Sequence, residues 1–291
     1  MQIIINIIIF LLTLFIYIHI NFHLKTNNDL EILEVEEINK EKLEEICDYK
    51  KPLLFNYQID DLHNNLDLKI IENNYGNFDI NIRKISEYDK KETTFLPIKY
   101  NECNKLFSKD ISKNYISENN QDFLEETTLI RHITSNDLFL RPYMCCEYNH
   151  DIIFGSVNSY TPIKYELNYR NYLYVIDGEI ELMLTIPNNE KYLDIIKDYE
   201  IFEFRSAVNP FKDKNNPKLE KIKFLNIILK KGDIIFIPFK WLYTYKINKK
   251  DTIVCLSKYK VLMNTLAIIP QLFYKFMYAQ NLKFKFINSI S

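Results

Sequence analysis

The chain has 291 residues, 47% hydrophobic and 26% charged, enough apolar matter for one sizeable globular domain, so intrinsic disorder is not the default. A formal net charge of -2 gives no basic footprint for phosphates, and no nucleic-acid partner is expected. With 4 glycines, the glycine-rich phosphate loops of nucleotide-binding folds cannot be written.

From Ile3 to Ile20 runs an apolar stretch broken only by Asn6, Thr13 and His19. At about 1.5 Å per residue it spans roughly the 30 Å of a bilayer core. No Lys or Arg precedes it and no small-residue cleavage site follows, both of which a secretory signal would carry. The expectation is an uncleaved, single-pass transmembrane anchor over residues 1–24, with the membrane engaged through residues 3–20. A buried core helix and a cleaved signal are the competing readings, the first disfavoured because no face is polar. Lys25, the nearest positive charge, favours the cytoplasmic side for the domain.

After the anchor, Glu31–Glu37 has the apolar content of a short strand, Asn39 can cap a helix over Lys40–Ile46, and Pro52–Tyr57 reads as a second strand. The polar stretch 60–149 holds candidate helices at Asn101–Phe107 and Asp122–Glu126. From Ile152 the pattern is β. Tyr172–Ile176 and Glu179–Ile186 flank Asp177–Gly178 and read as a hairpin, as do Leu225–Leu229 and Ile234–Pro238 around Gly232. Thr252–Ser257 adds a strand. Short strands without βαβ spacing imply a sandwich or jelly roll, and no composition break divides residues 25–262. Residues 263–291 read as a helical packing or dimerisation segment, helical around Pro270. Its stripe Leu266, Ile269, Leu272, Phe273 and Phe276 is expected in the core, with homodimer contact second. The five cysteines share no C-x-x-C spacing, so neither a disulfide framework nor a zinc site is suggested, and Cys145–Cys146 is expected as a buried strand pair.

Thr161-Pro-Ile-Lys-Tyr-Glu166, Asn171, Gly178, Asn209-Pro210, Asn216-Pro217 and Lys231-Gly-Asp-Ile-Ile-Phe-Ile-Pro-Phe-Lys-Trp-Leu-Tyr243 stand in one order along the chain. Together these blocks resemble the cupin-like branch of the JmjC dioxygenases, over roughly residues 31–262, and Pro52-Leu-Leu-Phe resembles that family's first strand. The resemblance implies a mainly β fold, a double-stranded β-helix (cupin or jelly roll) with flanking helices. In active members it implies Fe(II) held by two His and one carboxylate, with 2-oxoglutarate as co-substrate.

At the positions the resemblance assigns to iron, this chain has Lys164, Glu166 and Tyr243, and where a Lys would meet 2-oxoglutarate it has Ile180. Thr161 and Asn171 match the pocket lining. All five histidines, His19, His23, His63, His132 and His150, precede residue 151. An ammonium has no lone pair to offer a metal. The expectation is a relic site without metal or cofactor, in which Lys164 takes the metal's place and pairs with Glu166 while Tyr243 hydrogen-bonds to the pair. The protein would then be a non-catalytic binding or structural module with a protein or peptide partner. One alternative is an oxygenase (hydroxylase) with a rebuilt site using Glu166, Tyr243 and a histidine such as His150; another is a pocket that binds a small molecule without reacting. His132, His150 and Trp241 are expected to be structural, and the acidic stretch Glu31–Glu45 a solvated face.

Overall fold

The protein is described from a computed structural model covering residues 1–57, 59–90, 94–213 and 215–290. It opens with helix α1 (Gln2–Leu24), whose mean hydropathy reaches 2.7 and which is long and apolar enough to cross a membrane, as no other helix is among the described residues. There follow β1 (Leu33–Val35), α2 (Lys40–Asp48), β2 (Leu53–Asn56), α3 (Asp60–Asn65), α4 (Leu68–Tyr75), β3 (Asp79–Lys84), β4 (Leu96–Lys99), α5 (Tyr100–Lys109), β5 (Tyr115–Ser117), α6 (Gln121–Glu126) and α7 (Ile130–Asn136). The second half is strands: β6 (Cys145–Gly155), β7 (Lys164–Tyr165), β8 (Arg170–Asp177), β9 (Glu179–Thr185), β10 (Ile195–Asp198), β11 (Glu203–Ser206), β12 (Leu225–Lys230), β13 (Asp233–Pro238), β14 (Leu242–Ile247) and β15 (Ile253–Val261). Helices α8 (Leu262–Ala267) and α9 (Ile269–Ile290) close the chain.

The strands form two sheets that do not close on themselves. The larger has the order β1-β2-β13-β8-β15-β6-β5-β3-β4 and the smaller β10-β11-β7-β14-β9-β12. The mainly β fold with flanking helices and an apolar N-terminal helix is as expected. The two hairpins are not. β8 pairs with β13 and β15 in the larger sheet, while β9 pairs with β12 and β14 in the smaller. Likewise β12 and β13 lie in different sheets. Each glycine turn therefore carries the chain from one sheet to the other. Gly178 and Gly232 sit at φ +82 and +90, open to glycine at no steric cost. At Gly178 a Cβ would also come within 2.7 Å of Thr252 Cα.

Alternation along each strand explains the layers. Leu173 and Val175 of β8 face inward onto Ile180, Leu182 and Leu184 of β9 and Tyr245 and Ile247 of β14, forming the core between the sheets. Tyr172, Tyr174 and Ile176 face the other way, into a second core with Leu43, Leu62, Ile71, Phe123 and Ile133 from the flanking helices. Burial on both faces is why β8 shows no polar alternation in the sequence. Helix α2 begins where expected: the Asn39 side chain accepts from Lys42 N–H at 2.8 Å. Helices α3, α4 and α7 were not expected, because each presents only one to three apolar side chains to that core.

Two further expectations fail. Ile269, Phe273 and Phe276 are each at least half exposed, and of that stripe Leu272 packs on a third cluster, around Tyr165, Phe204 and Leu242. Cys146 is exposed and Cys145 only partly covered, at the start of β6, so they are not a buried pair.

Candidate functional site

The register of the smaller sheet sets Tyr243 of β14 directly opposite Lys164 of β7. The Tyr243 hydroxyl donates to Glu166 Oε1 at 3.3 Å, and its ring centroid lies 5.9 Å from the Lys164 ammonium. The three residues singled out from the sequence are thus gathered at one end of the inter-sheet space. The pairing expected between Lys164 and Glu166 is not made. Lys164 Nζ donates instead to Glu118 Oε1 at 2.6 Å, and Glu166 pairs with Lys258 of β15 at 2.8 Å. The segment after β5 offers Lys164 a closer carboxylate, and β15 of the facing sheet offers Glu166 an ammonium.

Glu118 joins a larger assembly. Its Oε2 pairs with Arg83 of β3 and its Oε1 also accepts from the Tyr245 hydroxyl at 2.9 Å. Arg83 reaches Glu203 at 3.1 Å, and Arg205 reaches both Glu203 at 3.5 Å and Asp198 at 3.0 Å. Arg205 further donates to the Tyr88 and Lys90 carbonyls at 3.1 and 2.7 Å. Four cations, Arg83, Lys164, Arg205 and Lys258, thus stand among four carboxylates, Glu118, Glu166, Asp198 and Glu203. Burial alone would raise the Glu118 and Glu203 carboxyls. The Lys164 ammonium and Arg83 guanidinium beside Glu118, and Arg83 then Lys164 beside Glu203, outweigh it and hold both below their ordinary values. Burial lowers Lys258, but Glu166 more than restores it. Burial first, then Glu166, pushes the Tyr243 phenol well above its usual range, so it stays a neutral donor.

Thr161, Asn171 and Ile180 are all fully buried and serve the framework. Thr161 Oγ1 accepts from Tyr245 N–H at 3.1 Å while its carbonyl accepts from Thr244 Oγ1 at 2.7 Å and Asn209 Nδ2 at 2.5 Å. Asn171 Nδ2 donates to the Ile237 carbonyl at 3.1 Å. Ile180 is part of the inter-sheet core. Asn209, from one of the motif blocks, thereby ties the long connection after β11 to β14.

A sequence model of the cupin-like domain family matches residues 33–265. The chain belongs to this family. No curated protein matches it.

In this cupin-like domain the three positions that the JmjC resemblance assigns to iron present an ammonium, a carboxylate and a neutral phenol. That donor set does not fit a site of two imidazoles and a carboxylate. Among the described residues no group of three or more His, Cys, Asp or Glu side chains could hold a metal ion. Nor does His150 complete one. On β6 it lies opposite Ser257 of β15, one residue from Lys258, and so faces the helix-covered side of the larger sheet while Glu166 and Lys258 meet on the other.

There His150 Nδ1 is 2.9 Å from Ser257 Oγ and Nε2 is 3.3 Å from Asp137 Oδ2, an order resembling a nucleophile, base and acid. All three are buried, and Asp137 also accepts from the Tyr259 hydroxyl at 3.1 Å and from Arg141 at 2.7 Å. Trp241 is fully buried core, and His132 bonds to Asp61 on the surface at 3.2 Å.

Beside Glu166 and Lys258 lies a polar crevice of about 180 Å³, lined also by Asn168, Glu147, Asn149 and Lys260. Sequence reading found Lys164, Glu166 and Tyr243 but missed Glu118, Arg83, Glu203 and Lys258. The only signal was indirect: a Lys within an apolar strand needs a carboxylate, without saying which.

Proposed function

We propose that the protein is a membrane-anchored cupin-like module that works without iron or 2-oxoglutarate, as a binding or structural protein. The observation that carries this reading is the ion pair of Lys164 with Glu118. The charge that iron would bring is supplied at this place by the protein itself, and the loss of Lys164 would leave the buried Glu118 carboxylate with Arg83 as its one ion-pair partner among the described residues. Tyr243 and Ile180 add no metal-binding or carboxylate-binding group of the usual kind. The crevice beside Glu166, at about 180 Å³, falls below the roughly 300 Å³ at which small-molecule pockets begin, whereas clefts of about 500 and 680 Å³ lie elsewhere on the protein. Residues 3–20 would sit in the bilayer. Lys25, the first positive charge after α1, supports the cytoplasmic side for the domain.

The test is metal analysis of the full chain purified in detergent, before and after anaerobic incubation with Fe(II) and 2-oxoglutarate. No retained iron is expected. One equivalent of iron per chain, held through gel filtration, would overturn the reading in favour of an oxygenase with unusual ligands.

A further inference from the structure

The last helix leaves an apolar face uncovered. Ile269, Phe273, Phe276 and Met277 recur at i, i+4, i+7 and i+8 along α9 and are 50, 58, 57 and 42% exposed. Three neighbouring residues fasten the helix to the domain, of which Leu272 is partly covered while Tyr274 and Lys275 are exposed. Leu272 packs on the cluster at the end of the smaller sheet, the Tyr274 ring lies 5.5 Å from that of Tyr199, and Lys275 Nζ sits 5.1 Å from the Phe202 centroid. A helix so tethered presents its phenylalanines in one fixed direction.

Position and charge say what covers them. Helix α1 is exposed everywhere except along Ile16, His19, Ile20 and His23 in its last two turns, and α8 packs against it. With residues 3–20 in the hydrocarbon, α8 stands at the level where the span leaves the bilayer, and α9 begins two residues after α8 ends. Helix α9 contains Lys275, Lys283 and Lys285 and no Asp or Glu, although the whole protein is net negative. Two copies pressed together through this segment would bring like charges together. A surface of anionic lipid would neutralise them while its acyl boundary takes the aromatic face.

We propose that α9 lies on the membrane surface that α1 enters, with Ile269, Phe273, Phe276 and Met277 in the boundary between headgroups and acyl chains. The domain is then held at two points, and its orientation on the bilayer is fixed. This rests on the anchor reading of α1.

The test uses the full chain reconstituted in vesicles of phosphatidylcholine with phosphatidylserine, containing lipids brominated near the headgroup or deep in the chains. Trp241, the single native tryptophan, is fully buried and gives a constant background. Phe276→Trp reports on α9 and Ile8→Trp on α1. The expected result is a blue-shifted Phe276→Trp emission quenched by shallow bromine, with Ile8→Trp quenched by deep bromine, and weaker Phe276→Trp quenching when phosphatidylserine is omitted. Quenching of Ile8→Trp alone would overturn the proposal and leave the anchor standing. Absence of quenching in both would overturn the anchor reading and the proposal with it. A Phe276→Trp emission that ignores lipid bromine but shifts with protein concentration would assign the stripe to a second copy and overturn the proposal.

Discussion

Glu118→Gln removes one negative charge from a buried site while leaving its shape nearly unchanged. Glu118 is 3% exposed; it accepts from Lys164 at 2.6 Å and from Tyr245 at 2.9 Å, and pairs with Arg83. After the substitution Arg83 keeps Glu203 at 3.1 Å, but the Lys164 ammonium loses its carboxylate and faces an amide. Removing one partner of a buried pair costs about 3–5 kcal/mol. In a domain of this size that is a fall in Tm of roughly 6–20 °C, at about 2–4 °C per kcal/mol. Thermal and urea unfolding of the full chain in detergent, followed by circular dichroism, measures it. Adding Lys164→Met to the Gln variant should recover part of the loss, because the stranded ammonium goes with it. Acid gives a second handle. Both Glu118 and Glu203 have folded-state values below their unfolded ones. Their contribution is therefore present above the unfolded value near 4.3 and drains away as pH falls through the folded values. The Gln variant should lose less stability than the native chain across that acid window. A cost under about 1 kcal/mol, or a double variant worse than the single one, would refute the idea that this pair fills the site as a mutually neutralising unit.

Tyr243→Phe removes a long 3.3 Å hydrogen bond to a carboxylate that Lys258 still holds, so its cost should stay within about 0.5–1.5 kcal/mol by the same unfolding assay. Gly178→Ala should cost more than the roughly 1 kcal/mol of an ordinary glycine position, because φ is +82 and the new methyl would meet Thr252; urea midpoints decide it.

What was legible from the sequence were features set within a few residues. The Asn39 cap, the apolar α1 and the strands around both glycine turns depend on local chemistry and appear where expected. Which strands those turns join depends on both sheets at once. Asp177-Gly178 and Lys230-Lys-Gly-Asp233 have the composition of hairpin turns, but Tyr172–Ile176 is apolar on both faces and needs helices on one side and a second sheet on the other. The same limit applies at the site. The blocks located Lys164, Glu166 and Tyr243, while the carboxylate that neutralises Lys164 lies 46 residues upstream in a polar stretch with no distinguishing motif. The outward stripe of α9 has the periodicity of a core helix, and only the folded chain shows that its aromatic side turns away from the domain.

The sheet-crossing turns also set a timetable for synthesis. β2 takes its antiparallel partner from β13, with Asn56 and Asp233 paired across 177 residues. At about 5–20 residues per second, the ribosome delivers that partner roughly 9–35 s later. Throughout that interval the early strands of the larger sheet expose unsatisfied edges. With few local pairings to hold them, this chain depends on long-range closure, the slow route for β proteins, and its early segments are the ones most in need of protection from premature association.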